Sequence, residues 1–252
     1  MRVGLTLLCK NELDIICQWL TVHCLDNRFD EIIVMDNRST DGTRKILDVY
    51  DLTVIDQEDQ GYKQAAWVYE MDRTLRERGC GWAVNIDADE FLTGDVRAAC
   101  QRAQDAGYNQ LYSMGTFMRP TVLDDPDVAD PLRRIKYHDP DDITYSNDKA
   151  IVKLDTLTGV CQGCHWGFFS DGARPVYDSE LRLYHFEQRS AQQLIKKYSG
   201  EWSEEKLANM GEGWRRMNRL WLEGGDEALI KYWNDSVVLS EEDIKNRRLV
   251  NC

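Results

Sequence analysis

The N-terminal part of the chain alternates between short, continuous apolar runs and longer stretches in which apolar residues recur at helical spacing. Continuous apolar runs are typical of strands that are buried on both faces of a parallel sheet. The predicted strands cover residues 2–9, 30–36, 52–55 and the run from residue 82 that leads into Asp87, and the predicted helices cover residues 13–25, about 41–50 and 64–78. This β-α-β-α-β-α-β order predicts an α/β fold in which helices flank an open parallel sheet.

The second half of the chain is less regular. We expect a helix at residues 95–106, strands at residues 110–114, 150–154 and 180–186, and an irregular excursion, rich in proline and acidic residues, at residues 121–142. From residue 190 onward the pattern is helical, with a break at residues 224–225 and a capped helix start at Ser240. The expected organisation is therefore a main domain of residues 1–197 and a helical C-terminal extension of residues 198–252.

Polar residues follow three of the predicted strands at the point where each strand ends. They are Asn11, Asp36 and the pair Asp87 and Asp89. Ligands of open parallel sheets bind at the carboxyl ends of the strands, so we expect these side chains to converge on one crevice. Two carboxylates spaced i and i+2 can share one hard divalent cation, and Mg²⁺ or Mn²⁺ often bridges such oxygens to substrate phosphates. Taken alone, the pair is also typical of a solvated acidic loop after a strand.

Length and charge narrow the class of protein. A chain of 252 residues can hold one α/β domain with a small appendage. Its net charge of −13 argues against a nucleic-acid binder that neutralises phosphates. A nucleotide-bearing substrate on so acidic a protein would need a metal ion to offset its own charge. No apolar run approaches the roughly 18 residues of a transmembrane segment.

The N-terminal apolar segment and the cysteines indicate the cellular compartment of the protein. This segment runs directly into Lys10, Asn11 and Glu12 without a cleavage-type sequence, which favours a first core strand over a signal sequence. The eight cysteines are scattered and lie mostly in apolar runs. Without an export signal they are typical of reduced thiols in the cytosol. We therefore expect a cytoplasmic protein.

Three motifs stand at the predicted strand ends. They are Lys10-Asn11-Glu12, the segment 36–42 that has the form Asp-Asn-x-Ser-x-Asp-Gly, and Asp87-Ala88-Asp89-Glu90-Phe91. Together they resemble the family 2-like glycosyltransferases of the GT-A fold. Lys149, and His185 followed by Lys196, are also similar to that group, so that the resemblance covers roughly residues 3–197. It implies a Rossmann-like, mostly parallel sheet of GT-A type and a nucleotide-sugar donor, with a UDP-sugar favoured.

The resemblance also implies a divalent cofactor, Mn²⁺ or Mg²⁺, and roles for individual residues. Asn11 and Glu12 are expected beside the nucleoside, Asp36 at the base, Asp87, Ala88 and Asp89 at the diphosphate and metal, His185 as a further metal ligand, and Lys149 and Lys196 or Lys197 at the donor phosphates. Both Asp87 and Asp89 are expected to be metal ligands, with Asp89 favoured as the direct ligand of the pair. A bridging cation stabilises the negative charge that develops on the departing nucleoside diphosphate. A histidine satisfied at a strand edge is the alternative for His185, and a surface lysine is the alternative for Lys149.

The catalytic base is left open. An inverting transferase, which we favour over a retaining one, needs a carboxylate or a histidine within hydrogen-bond reach of the acceptor hydroxyl. The candidates are His165, Glu90, Asp148 and Asp171, and no spacing rule selects among them. Glu90 could also face the sugar. The acceptor is expected to be a glycan or another hydroxyl-bearing molecule.

Two further patterns favour structural roles. The segment 161–165 has the Cys-x-x-Cys-His form of a haem attachment site, but it lacks the context of a haem, zinc or redox centre. A loop that places His165 and Trp166 near the acceptor is favoured. Trp214 and Trp221 lie seven residues apart on one helix face, which favours core packing over a dimer seam or a membrane-surface contact.

Two other functions stay open. A sugar-phosphate nucleotidyltransferase also uses an α/β sheet and Mg²⁺, but it would carry a glycine-rich basic loop, for which Lys10-Asn11-Glu12 is a poor substitute. A non-catalytic module that binds a nucleotide or a glycan is the other alternative. Turnover with release of a nucleoside diphosphate separates an enzyme from such a module.

Overall fold

The computed structural model describes residues 1–24, 28–58, 62–139, 149–245 and 248–249 of the chain. These residues divide into two compact units. The first unit contains residues 1–24, 28–58, 64–116 and 149–185, and the second contains residues 62–63, 117–139, 186–245 and 248–249. The boundary that we expect after residue 197 stays a prediction.

Short strands and helices alternate along the described chain. The strands are β1 Val3–Cys9, β2 Glu31–Asp36, β3 Thr53–Asp56, β4 Trp82–Asn85, β5 Glu90–Thr93, β6 Gln110–Arg119, β7 Tyr137–His138, β8 Ala150–Lys153, β9 Leu157–Val160, β10 Gly167–Phe169, β11 Pro175–His185 and β12 Arg248–Leu249. The helices are α1 Ile16–Cys24, α2 Thr43–Leu47, α3 Gln64–Glu77, α4 Val96–Asp105, α5 Pro131–Arg134, α6 Ala191–Tyr198, α7 Glu204–Asn209, α8 Glu212–Tyr232 and α9 Glu241–Ile244. A 3₁₀ turn spans Gln162–Cys164, and a π-helical turn spans Trp233–Val237.

The sheet of the first unit has a parallel centre, in the order β3-β2-β1-β4. β8 pairs with β4 and β6 pairs with β8, both antiparallel. β5 and β11 form an antiparallel ladder, and β11 also pairs with β6. β1 and β4 are buried along almost their whole length, as strands covered by helices must be. The predicted α/β class, with a mostly parallel sheet flanked by helices, is confirmed.

Several element bounds differ from the prediction. α1 begins at Ile16 and α2 ends at Leu47, so both helices are shorter than expected, whereas β6 runs on to Arg119 and β11 begins at Pro175. The antiparallel ribbon of β9 and β10 was not predicted. Its strands have only four and three residues, which is too short for a clear periodicity.

The expected irregular excursion at residues 121–142 contains regular structure in its described part. α5 and β7 lie within it. Asp130 caps α5 by accepting a hydrogen bond from the backbone N–H of Leu132, and Pro131 occupies the first turn. An Asp-Pro pair in this position is a helix-start signal. The surrounding acidic residues and prolines, which are typical of loops, concealed it.

The C-terminal helices of the second unit pack around a small apolar cluster. Its buried members are Leu194, Tyr198, Met217, Leu229 and Val237, and four partly buried tryptophans pack against it, namely Trp202, Trp214, Trp221 and Trp233. The tryptophans therefore pack against an apolar core, as the helical spacing of Trp214 and Trp221 indicates. A dimer or membrane-surface role stays a prediction.

The predicted signals along these helices are also observed. Gly225 has φ 63° and ψ −158° and interrupts α8 where a break was predicted. Ser240 forms a capping box with Asp243 at the start of α9. None of the helices in the described part of the chain combines the length and the apolar character that crossing a bilayer requires.

Candidate active site

The carboxyl ends of β1, β2 and β4 meet at one edge of the parallel sheet. The register pairs Cys9 with Asp36 and Thr6 with Asn85. The segments that follow these strands therefore lie side by side. This is the edge at which open α/β sheets bind their ligands. The three strand ends that we expected to converge are adjacent.

Asp36 is a buried carboxylate at the end of β2. Its Oδ2 accepts a hydrogen bond of 2.9 Å from the backbone N–H of Ser39, which closes the loop after the strand. The thiol of Cys9 donates to Oδ1 over 3.8 Å. Burial, reinforced by the charge of Asp36, holds the pKa of Cys9 well above its usual value, so that this side chain stays a thiol donor.

Asn11 and Glu12 connect the end of β1 to the loop after β2. The backbone N–H of Asn11 donates to Ser39 Oγ over 2.8 Å, and Asn11 Oδ1 accepts from the N–H of Thr40 over 2.7 Å. The N–H of Glu12 donates to Thr43 Oγ1 over 2.9 Å. Asn11 has φ 59°, in the left-handed region that Asn tolerates better than most residues. The Lys-Asn-Glu motif thus fixes the loop beside Asp36.

Asp41 orders the same loop from its other end. Its Oδ1 accepts from both the N–H and the hydroxyl of Thr43, and its Oδ2 accepts from the N–H of Leu13 over 3.2 Å. Gly42, with φ 107°, occupies the N-cap position of α2.

Asp87 lies just beyond β4 and both of its carboxylate oxygens have protein partners. Lys149 Nζ lies 2.6 Å from Oδ2, and Gln64 Nε2 donates to Oδ1 over 3.4 Å. The backbone N–H of Asp87 donates to Glu90 Oε2 over 2.8 Å. Lys149 and Gln64 therefore hold this carboxylate in place, and Glu90 holds the backbone of Asp87, although the aspartate side chain is 35% exposed.

Lys149 is buried between two carboxylates. Its side chain is 4% exposed, and its ammonium nitrogen lies 2.6 Å from Asp87 and 3.4 Å from Glu90. Burial alone would lower the pKa of Lys149, but the charges of Asp87 and Glu90 raise it well above its usual value. Glu90 is itself buried, and this burial raises the pKa of its carboxyl group above the usual range. The lysine is therefore a fixed positive charge in the acidic motif.

Asp89 and His185 meet through the pairing of β5 with β11. The register places His185 opposite Glu90. His185 Nε2 lies 3.6 Å from Asp89 Oδ1, and His185 Nδ1 lies 3.9 Å from Glu90 Oε1. Ala88, between the two aspartates, is buried. A histidine 96 residues along the chain is thus brought to the second aspartate, as expected from the resemblance.

A divalent cation would find two ligands of suitable chemistry here. Carboxylate oxygen and imidazole nitrogen both suit Mn²⁺, and adjacent ligand atoms on an octahedral ion lie about 3 Å apart. The 3.6 Å between Asp89 Oδ1 and His185 Nε2 is close to that spacing. Within the described residues there is no group of three or more His, Cys, Asp or Glu side chains placed to hold a metal. The remaining ligands would therefore come from substrate and water, because Asp87 is bound to Lys149.

A buried polar chain supports the motif from behind, and sequence reasoning missed it. Asp72 of α3 accepts from Asn85 Nδ2 over 3.1 Å, and Asn85 Oδ1 accepts from the hydroxyl of Thr6 over 2.6 Å. Burial raises the pKa of Asp72 to about 7. A polar residue on the apolar face of a helix is the signal that could have identified it. Gln64, two helical turns earlier on α3, is a second such residue.

Gln64 joins Asp87 to the loop that follows β9. Its Nε2 donates to Asp87, and its Oε1 accepts a 3.0 Å hydrogen bond from the backbone N–H of Gly163. Gly163 has φ 82°, and a Cβ there would lie 2.6 Å from His165 Nε2, so the imidazole ring lies against this glycine. Tyr112 donates its hydroxyl hydrogen to the backbone oxygen of His165 over 2.9 Å. Two residues, Gln64 and Gly163, therefore connect the first aspartate to His165.

The same loop presents aromatic side chains. Trp166 and Phe168 are 48% and 50% exposed, whereas Gly167 between them is buried. Cys161 and Cys164 are both free thiols, and burial raises the pKa of Cys164 far above its usual value.

Other predicted residues are placed elsewhere or lie outside the described residues. Asp171 pairs with Arg174 over 2.8 Å and lies beside Asn109, at the amino end of β6, which is the opposite edge of the sheet. Lys196 lies on α6 of the second unit, where the neighbouring Lys197 has its Nζ 4.6 Å from the ring centre of Trp214. Their contact with donor phosphate stays a prediction. Asp148 lies outside the described residues.

The sequence matches the family model described as Glycosyl transferase family 2 over residues 7–173. No curated protein matches the chain.

Solved structures with a related fold include two bacterial proteins. One is glucosyl-3-phosphoglycerate synthase from Mycobacterium tuberculosis in complex with Mn²⁺, UDP and phosphoglyceric acid, with 19% identity and a TM-score of 0.33 over 45% of this chain and 43% of that one. The other is S. aureus TarS, with 12% identity and a TM-score of 0.45 over 94% of this chain and 44% of that one. The chain thus spans less than half the length of each.

Proposed function

The chain belongs to glycosyl transferase family 2, and on this basis we propose that it is a metal-dependent glycosyltransferase that moves a sugar from a nucleotide-diphosphate sugar to a hydroxyl group of a glycan or another acceptor. The observation that carries the proposal is the register of β5 and β11, which sets His185 3.6 Å from Asp89 at the sheet edge where β4 ends. A UDP-sugar is the favoured donor, and inversion is the favoured outcome.

The base of the donor would lie at Asp36. A carboxylate has about four lone-pair sites, and Ser39 and Cys9 use only part of this capacity. The N3–H group of a uracil is a donor that can use the rest. Asn11 and Glu12 would border the nucleoside, because their backbone contacts already fix the loop next to Asp36.

The diphosphate would lie at the acidic motif. Asp89 and His185 would hold Mn²⁺ or Mg²⁺, which stabilises the negative charge of the departing nucleoside diphosphate. Asp87 would keep its contact with Lys149, whose positive charge reduces the repulsion between the acidic motif and an anionic donor. Ala88 would leave room for the donor between the two aspartates.

The acceptor would be deprotonated from the loop at residues 161–166. We favour His165 over Glu90 as the base, because Glu90 is 1% exposed and is held by Lys149 and the N–H of Asp87. Glu90 would act as a support for Asp87. Asp148 stays a third candidate.

The proposed setting is glycan assembly in the cytoplasm. The described cysteines are all free, including several that lie in apolar surroundings. Free thiols persist in a reducing compartment. An acidic protein surface also favours small-molecule substrates over nucleic acid.

A thermal-shift panel of nucleoside diphosphates and nucleotide sugars, each with Mn²⁺ and with EDTA, tests the donor class. A ligand of the folded state raises the melting temperature by mass action. We expect a shift with UDP or UDP-sugars that depends on the metal. Absence of a shift with every nucleotide would contradict the proposal.

Turnover then separates an enzyme from a binding module. Release of UDP with a glycan acceptor should be measured for the wild type, for Asp89→Asn and for Asp171→Asn as the control at the opposite sheet edge. We expect Asp89→Asn to lower transfer by about 100-fold or more, the size seen when one charge-stabilising group is lost. Binding without release of UDP would favour the module, and release of pyrophosphate from UTP would favour a nucleotidyltransferase.

A further inference from the structure

The side chain of Gln64 is positioned as a bridge between two parts of the first unit. It is 6% exposed and begins α3. The two polar atoms of its amide group contact two different segments. Nε2 donates to Asp87 Oδ1 over 3.4 Å, and Oε1 accepts from the backbone N–H of Gly163 over 3.0 Å. Asp87 and Gly163 are 76 residues apart in the sequence. No apolar side chain of similar size could make both contacts.

α3 leaves Gln64 little freedom to move. Trp67, Val68 and Met71 follow it on the buried face of the same helix. Further along, Asp72 accepts from Asn85, the last residue of β4. The helix is therefore attached to β4 immediately before Asp87. The position of Gln64 therefore depends on the position of the Asp87 carboxylate, and the loop that Gln64 contacts with its other polar atom depends on the position of Gln64.

The loop on the other side is equally constrained. Gly163 has φ 82° and carries the His165 ring against it. Tyr112 holds the backbone oxygen of His165, and the backbone N–H of Gly167 donates to Gln110 over 2.9 Å. A displacement of Gly163 would therefore change the surface against which the His165 ring lies, because the ring occupies the space where a Cβ of Gly163 would be.

We propose that Gln64 is a positioning residue that holds Asp87 and the loop at residues 161–166 in one arrangement, and thereby couples donor binding to the acceptor side of the site. The coupling between donor and acceptor binding rests on the proposed function, whereas the hydrogen bond between Gln64 and Gly163 does not. A donor that binds at Asp87 holds this carboxylate and its partner Gln64 in place. Gln64 in turn holds Gly163 and the His165 ring in place. Such a coupling is reciprocal, so that the acceptor also tightens the donor.

Cysteine reactivity tests the contact without any assay of activity. Cys164 is buried in this loop, and Cys100 is buried in α4 of the same unit. The rate at which N-ethylmaleimide modifies each thiol should be measured by peptide mass spectrometry in the wild type, in Gln64→Met and in Arg73→Gln. Methionine keeps the volume of the side chain and removes both hydrogen-bonding groups, and Arg73 lies on the exposed side of the same helix.

We expect Gln64→Met to raise the rate at Cys164 by about tenfold, the effect of losing one to two hydrogen bonds, with Cys100 unchanged. Arg73→Gln should change neither rate. Equal rises at Cys164 and Cys100 would mean that Gln64 serves only overall stability, and an unchanged rate at Cys164 would mean that it does not hold the loop. Either result would overturn the proposal.

Adding UDP with Mn²⁺ tests the coupling. We expect the nucleotide to protect Cys164 in the wild type and to protect it less in Gln64→Met, although both bind UDP in a thermal-shift assay. Binding of UDP with no effect on Cys164 in the wild type would overturn the coupling. Failure of every nucleotide to bind would instead overturn the proposed function and the coupling together, while the contact with the loop would still be decided by the first experiment.

Kinetics provide the last measurement. Gln64→Met is expected to raise the acceptor KM at saturating donor by about tenfold, with the donor KM at low acceptor concentration little changed. Gln64→Glu keeps an acceptor for Gly163 N–H but sets a second negative charge against Asp87. It should therefore raise the donor KM and spare the acceptor KM. Identical effects of both variants on the two KM values would contradict a bridge with two distinct ends.

Discussion

Lys149 Nζ lies 2.6 Å from Asp87 Oδ2, in a position where the lysine side chain is 4% exposed. The first aspartate of the motif is thus neutralised by the protein itself. In the proposed function, metal binding would therefore fall to Asp89 and His185, and the charge of Lys149 would reduce the repulsion of a diphosphate. The two aspartates are only two residues apart. Their different partners follow from the different directions in which their side chains leave the end of β4 and the start of β5.

Removal of Lys149 should therefore destabilise the fold. In Lys149→Met the carboxylates of Asp87 and Glu90 lose their common partner, and breaking a buried ion pair in this way costs about 3 kcal/mol or more. Urea denaturation at neutral pH measures the change in unfolding free energy. Lys153→Met, at the end of β8, which follows Lys149, is the control, because its 3.0 Å pair with Asp155 is at the surface and should contribute less than about 1 kcal/mol. Equal losses in the two variants would contradict this account.

His185→Gln should weaken the binding of Mn²⁺. The imidazole is one of two protein ligands in the candidate site, and loss even of a supporting residue around a metal costs about 10- to 100-fold in affinity. Calorimetric titration of Mn²⁺ in the presence of UDP is the measurement. Asp171→Asn, in the turn before β11, should bind as the wild type does. Unchanged affinity in His185→Gln would exclude this histidine as a ligand.

Gly163→Ala should disturb the site more than its backbone strain alone predicts. An alanine at φ 82° costs about 1–2 kcal/mol, and the new Cβ would also meet His165 Nε2 at 2.6 Å. Gly172→Ala isolates the first effect, because Gly172 has φ 83° with no atom within 4 Å of a Cβ. Both variants should lose similar stability, and only Gly163→Ala should lose transfer activity. Equal activity in the two would show that the position of His165 does not matter.

Asp72 should make the protein less stable as the pH rises. Burial raises its pKa in the folded state to about 7, and its Oδ1 has no hydrogen-bond partner among the described residues. The folded state therefore holds a proton that the unfolded state releases near pH 4, and stability falls between about pH 4 and pH 7 by up to about 4 kcal/mol. Asp72→Asn should flatten this slope in denaturation experiments at pH 5 and pH 8. An unchanged slope would mean that Asp72 is ionised in the fold.

The strand ends could be predicted from the sequence because each depends on neighbouring residues alone. An apolar run that stops at Asp36 or at Asp87 is visible without knowledge of the fold, and parallel strands bring such ends to one edge. The family resemblance added His185, whose place depends on the pairing of β5 with β11.

The contacts around Asp87 could not be predicted in this way. Lys149 is 62 residues from Asp87, and Gly163 is 99 residues from Gln64. No local pattern links residues at such distances. Lys149 was expected at the phosphates, and its contact with Asp87 depends on the antiparallel addition of β8 to β4. Gln64 lacked even a candidate role, because a polar residue at a helix start is common.

The pairing of β5 with β11 also limits how the gene for such a protein can change in length. Side chains alternate along a strand, so His185 shares a face with Leu183 and Leu181. Deletion of one residue within β11 would set Tyr184 in its place and turn the two leucines outward. A change of length in the turn at residues 170–174 would leave this alternation intact, although Asn109 binds the backbone of Gly172 and Arg174 in the turn. Insertions and deletions should therefore be less rare in this turn than within the strand in related sequences.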